Sequence, residues 1–261
     1  MNISLQGKTA LVCGSTQGIG LATAKELALL GAECILLARN ESALQEAVSG
    51  LDSSRGQQHS YAVADFTDPD AVGQAVTQLV SKKRITILVN NTGGPAAGPV
   101  IDAPVESFES AFRQHLVVNH LLVQALVPTM KEDGYGRIIN IISTSVKVPL
   151  HNLGVSNTIR GAVASWAKTL ANELAADGIT VNNVLPGFTS TKRLESLAAI
   201  LASNRGITRK EQEALMAGEV PAKRFGHAEE IAAVAAFLAT PAAAYVNGTS
   251  IPVDGGRTGS I

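Results

Sequence analysis

The chain has 261 residues, 46% of them hydrophobic and 16% charged, and a formal net charge of −1. That balance supports a well-buried core and excludes a disordered chain. It also leaves out the basic blocks and acidic tails that mark nucleic-acid or charged-tail partners.

In chain order, residues 9–13 form a short apolar run that predicts a strand, and 19–30 carry helical periodicity ending at Gly31, a natural cap. A second strand is predicted at 34–38, a helix at 41–48 and a third strand at 61–64. A helix follows at 69–80 with Pro69 near its start, then a fourth strand at 85–89. Residues 105–130 read as a long helix broken at Pro128, and 137–142 as a fifth strand. A helix over 153–176, a sixth strand over 178–184, helical segments near 194–201, 210–217 and 228–238, and a short strand at 250–253 complete the pattern.

This alternation predicts one α/β domain spanning 1–261. Its core would be a doubly wound, Rossmann-type parallel sheet of about seven strands with helices on both faces. Several strands are continuous apolar runs, as burial on both faces requires. The stretch 189–220 is the least regular and could serve as a substrate lid. The two cysteines, Cys13 and Cys34, lie in strand runs and read as buried free thiols of a reducing compartment, and no C-x-x-C pattern suggests a metal site. The N-terminus lacks a secretory signature and no 18-residue apolar window exists, so a cytoplasmic protein with no membrane or nucleic-acid partner is expected.

Gly14-Ser15-Thr16-Gln17-Gly18-Ile19-Gly20 lies between the first strand and the first helix. Glycines there let the backbone turn sharply and approach a diphosphate, and the helix start offers free N–H groups. The alternative is a plain turn with no ligand. At the end of the second strand, 19 residues after Gly20, stands Arg39 where an NAD site usually has an acid. A guanidinium there would pair with a 2′-phosphate, so NADP(H) is favoured over NAD(H), although Arg39 also reads as an ordinary exposed arginine.

These residues, with others further on, make the chain resemble the short-chain dehydrogenase/reductase family over nearly its whole length. The glycine loop resembles that family's phosphate loop. Asp65 matches its adenine-contacting acid, and Asn90-Asn91-Thr92-Gly93 its Asn-Asn-Ala-Gly signature beside the cofactor. Pro186-Gly187, with Thr189 and Thr191, resembles the segment that reaches the nicotinamide, and Arg224 to Ile231 with Asn247-Gly248 and Val253 to Gly256 resembles the C-terminal pattern. The resemblance implies an oxidoreductase acting on small carbonyls or 3-oxoacyl thioesters. It also implies a homotetramer or homodimer built on the two long helices and the last strand.

The catalytic signature departs from the family's. Ser143 fits the family's serine, but thirteen residues on stands Ser156 instead of Tyr, and four further Arg160 instead of Lys. His115 falls where the family has a helix Asn of the proton relay, with Asn119 as the alternative. A serine is a far weaker acid than a phenol of pKa ~10. Hydride chemistry would then rest on Ser143 and Arg160 polarising an oxygen, with His115, Lys147 or His151 as substitute donors, although His115 also reads as a satisfied core histidine and Lys147 as a solvated loop lysine; a histidine ordinarily titrates near neutrality. The other reading is a nucleotide-binding module that has lost turnover.

Overall fold

The computed structural model describes residues 1–260. Its strands are β1 (Thr9–Cys13), β2 (Glu33–Ala38), β3 (Ser60–Val63), β4 (Ile87–Asn90), β5 (Gly136–Ile141), β6 (Ile179–Pro186) and β7 (Ser250–Val253). They form one parallel sheet in the order β3-β2-β1-β4-β5-β6-β7. The chain runs outward in one direction through β1 to β3 and in the other from β4 to β7. The crevice between the carboxyl ends of β1 and β4 is the switch point where such folds bind ligands.

The helices are α1 (Gly18–Leu29), α2 (Glu41–Ser49), α3 (Pro69–Val80), α4 (Val105–Phe112), α5 (Val118–Glu132), α6 (Gly154–Leu174), α7 (Lys192–Arg205), α8 (Arg209–Glu219) and α9 (Ala228–Ala239). Successive strand residues point to opposite faces, and both faces are buried. Ala10, Val12, Cys34 and Leu36 pack with α1, α2 and α9. Leu11, Cys13, Ile35 and Leu37 pack with α3, α5 and α6. The two cysteines are therefore free and lie on opposite sides of the sheet. Burial pushes the Cys34 thiol up to about 12 and Cys13 higher still, so both stay protonated.

The expected break at Pro128 does not occur: α5 runs through it to Glu132. A proline inside a helix costs about 3 kcal/mol, and the burial of Leu122, Leu126 and Met130 against the sheet outweighs it. The irregularity lies upstream, where Arg113–Val117 form a π-helical turn centred on His115.

A row of amides crosses the carboxyl end of the sheet in register. Asn90 donates to Asn140 (2.9 Å), Asn140 to Asn183 (3.0 Å) and Asn183 to the Ser250 hydroxyl (3.0 Å). This row ties four neighbouring strands together beneath the crevice.

No helix among the described residues is long and apolar enough to cross a membrane.

Candidate active site

The glycine loop is shaped by what it must touch. Gly14 has φ +57° and Gly18 φ +55°, both in the left-handed region that favours glycine. A Cβ on Gly14 would lie 2.5 Å from the Asn91 carbonyl oxygen. Asn91 in turn donates its amide to the carbonyls of Cys13 (3.3 Å) and Gly14 (3.1 Å), stitching the loop to the end of β4. The α1 N-terminus has Gln17 at its cap, with no side chain satisfying its N–H groups. Those free donors are what a diphosphate would meet.

Around this loop lies a cleft of about 710 Å³, lined among others by Thr16, Gln17, Gly18, Ile19, Arg39 and Asp65. Arg39 is 76% exposed and stands 3.8 Å from Asp65, a weak surface pair that a phosphate would displace. Asp65 holds its own turn by accepting from the Thr67 N–H and hydroxyl, both at 2.9 Å. Backbone donation from Thr67 keeps its carboxyl below the usual range. Asn91 and Gly93 also line this cleft. Ser15 does not: its hydroxyl is fully buried without a partner, and the neighbouring Thr16 lines the cleft.

A second cleft of about 200 Å³ adjoins the first. The two share Ile19, Asn91, Thr92, Gly94, Thr191 and Arg193. Ser143, Ser156 and Arg160 all line the second one, so three of the four expected catalytic residues come together. Pro186, Gly187 and Thr189 form its far wall. Ser143 follows β5 and caps a short turn, accepting from Ser145 N–H at 3.1 Å. Ser156 and Arg160 sit one turn apart on α6, both buried. Arg160 donates to the carbonyls of Ile141 (3.1 Å) and Thr92 (3.5 Å). Lys147 and His151 are exposed, and Leu150 and Leu153 hold the wall in their stead.

The family model described as enoyl-(acyl carrier protein) reductase matches residues 14–258. D-beta-hydroxybutyrate dehydrogenase of Rhizobium meliloti (strain 1021) is 34% identical over 258 residues, covering 96% of this chain and 98% of its own. The 3-oxoacyl-acyl-carrier-protein reductase FabG of Haemophilus influenzae is 36% identical over 255 residues, with 97% and 98% covered. L-sorbose reductase from Gluconobacter frateurii, solved with NADPH and L-sorbose, superposes with a TM-score of 0.93 at 32% identity over 100% of both chains. The chain belongs to the short-chain dehydrogenase/reductase family.

For a member of this family, the site departs at the proton donor. No tyrosine takes that place. Tyr61 lies on β3, the Tyr135 hydroxyl donates to the Ala239 carbonyl at the opposite end of the sheet, and Tyr245 is fully exposed. His115 does not supply the missing group. It is buried, it lines neither cleft, and its Nδ1 lies 2.6 Å from Thr92 Oγ1. Burial first, then the charges of Arg160 and Arg193, push it down to about 3. The expectation of a group titrating near neutrality therefore fails, because desolvation outweighs every hydrogen bond that would favour the cation. His115 acts instead as a support, holding Thr92, whose carbonyl receives Arg160.

Keeping that imidazole neutral makes the fold sensitive to acid. Below the unfolded histidine's ordinary 6.5, unfolding takes up a proton that the folded state refuses. Stability is thus lost as pH falls from about 6.5 toward 3, by roughly 1.4 kcal/mol per pH unit well below 6.5. Denaturant melts at pH 7, 5.5 and 4.5 should show this slope, and His115→Gln should flatten it. An unchanged slope in the variant contradicts the buried neutral imidazole.

The site also holds residues that the sequence pattern did not single out: Thr16, Phe188, Arg193 and Arg257. Arg193 and Arg257 carry no spacing signal toward Arg160. Only the fold brings them to one cleft.

Proposed function

We propose that this chain is an NADP(H)-dependent oxidoreductase interconverting a carbonyl and an alcohol. The observation that carries the reading is the joining of the two clefts at the switch point, with Ser143, Ser156 and Arg160 facing the shared wall. The residues fit the dinucleotide: uncapped N–H groups at α1 for a diphosphate, Asp65 for the adenine end, and Arg39 for a 2′-phosphate with no acid ending β2. A nicotinamide dinucleotide held there would supply hydride chemistry at the substrate carbon.

The chain's own part is to hold the reacting oxygen. The Ser143 hydroxyl donates to it, and the Arg160 charge stabilises the negative charge that develops there. Arg160 is lowered to about 10, chiefly by burial, and stays cationic at neutral pH. The Ser156 hydroxyl, in the family's tyrosine position, passes a proton to that oxygen and regains one from water. This donor is weak, so turnover is slow. Helices α7 and α8 form a lid. Their stretch is pinned at its base by Ser190 N–H to the Gly226 carbonyl (2.8 Å) and Gly226 N–H to the Phe188 carbonyl (2.9 Å), and α7 supplies Leu194 and Leu197 to the cleft. Assembly as a homotetramer or homodimer through α4–α6 and β7 belongs to the same reading, supported by Val105 and Phe112 exposed on α4. So does a cytoplasmic location, supported by two reduced thiols.

A second reading keeps the nucleotide and gives up turnover. It is favoured by one observation: among the described residues no Tyr, His, Lys, Asp or Glu lines the substrate cleft. Mixing the protein with NADPH and a panel of ketones and acetoacetyl thioesters separates the two readings. Loss of reduced-cofactor absorbance with any carbonyl supports the enzyme, and tight NADPH binding without turnover selects the module. Arg39→Asp should cut the NADPH-over-NADH affinity ratio by about 10–100-fold, the worth of a charge-assisted contact. An unchanged ratio removes Arg39 from the 2′-phosphate.

A further inference from the structure

Two guanidinium groups meet in the substrate cleft with no acid to neutralise them. Arg160 rises from α6 and is 8% exposed. Arg193 descends from α7 and donates to the carbonyls of Gly94 (2.9 Å) and Pro95 (3.1 Å). Both converge over Gly94. A Cβ there would lie 2.7 Å from Arg193 Nη2 and 3.5 Å from Arg160 Nη2, so both guanidinium groups pack against this glycine. Among the described residues neither arginine makes an ion pair. No Asp or Glu lines the cleft. The third arginine there, Arg257, is already committed, 3.2 Å from Glu219 and 4.0 Å over the Phe188 ring.

Arg193 is solvent-exposed, but Arg160 is a buried cation, and buried cations are normally paired because desolvation costs more than backbone carbonyls return. Two like charges side by side add to that cost, and Arg193 accordingly helps to lower Arg160. An anionic ligand relieves both penalties at once. The ribose of a dinucleotide is neutral and relieves neither. A diphosphate is an oxyanion too, but the α1 N-terminus is placed to take it.

We propose that the substrate carries a carboxylate held by Arg193 beside Arg160, so that the cleft selects a small keto or hydroxy acid. This rests on the carbonyl–alcohol reading and narrows it. A cleft of about 200 Å³ accommodates an acid of a few carbons. Arg193 is then a specificity-determining residue, and the preference is for a free acid over its ester or thioester.

The test compares acetoacetate with methyl acetoacetate, using the full chain and NADPH. The acid should exceed the ester in kcat/KM by tenfold or more, and Arg193→Gln should shrink that ratio at least tenfold. A wild-type ratio near one overturns the proposal. So does an Arg193→Gln loss that falls on NADPH affinity while the ratio stays intact, since the pair then serves the diphosphate. If neither compound is reduced, both are titrated by melting shift into the chain saturated with NADP+, or into the free chain should NADP+ not bind. Stabilisation by the acid but not the ester, abolished in Arg193→Gln, upholds the anion site while the carbonyl reading fails. No shift with acetoacetate overturns the anion site as well.

Discussion

Replacing Ser156 by Tyr together with Arg160 by Lys is expected to raise ketone reduction by about 10²–10⁴-fold, the usual worth of a positioned general acid. The two positions lie one helical turn apart on α6 and both face the cleft that holds Ser143. A phenol has an ordinary pKa of ~10, and a neighbouring cation draws it toward neutrality. A serine hydroxyl has no comparable route, since lowering a pKa tenfold in acidity at a time requires about 1.4 kcal/mol for each factor of ten. The lysine keeps the positive charge beside the reacting oxygen, so the polarising role survives. Ser156→Tyr alone should recover part of the gain, because Arg160 already supplies a cation. The measurement is steady-state kcat on one ketone, with NADPH affinity followed in parallel. If the double variant binds NADPH as before and turns over no faster, proton delivery does not limit the reaction and the role given to Ser156 is wrong.

Gly20→Ala should abolish detectable cofactor binding, a loss of at least about 100-fold. A Cβ at Gly20 would lie 2.2 Å from the Gly14 carbonyl oxygen and 2.7 Å from the Asn91 amide. Neither can yield cheaply. The first is backbone in the turn itself, and the second is the side chain that binds that turn to β4. The methyl must push α1 away from the loop, moving the very N–H groups a diphosphate would meet. Overpacking of this kind also costs about 1–3 kcal/mol of stability. Gly73→Ala is the control. It lies inside α3 with nothing within 4 Å of a new Cβ, and it should be neutral or stabilising by up to about 1 kcal/mol. Calorimetric titration with NADPH reads both variants. Wild-type affinity in Gly20→Ala would show that the loop does not hold the cofactor.

How much of this was legible in the sequence depends on the range over which each feature is decided. The strands at 9–13 and 34–38 were readable as largely apolar runs, and their neighbours in the sheet bury them on both faces as that pattern demands. The loop from Gly14 to Gly20 was readable because its turn, its glycines and its helix start are all local. Pro128 misleads for the opposite reason. Its cost is local, but the burial of Leu122, Leu126 and Met130 that outweighs it is tertiary. For His115 the sequence points to the right helix and the wrong ionisation, because solvent exposure is not written in spacing.

By itself, the amino-acid order determined the alternation of strand and helix, the glycine loop, the arginine ending β2 and the absence of Tyr and Lys at positions 156 and 160. Periodicity and turn chemistry act over a few residues, so a chain reveals them directly. Only the tertiary structure decided that Arg160 and Arg193 converge over Gly94, that no carboxylate answers them and that His115 stays neutral. Those properties are set by distances between segments far apart in the chain and by the water that packing removes. Neither is carried by any local run of residues.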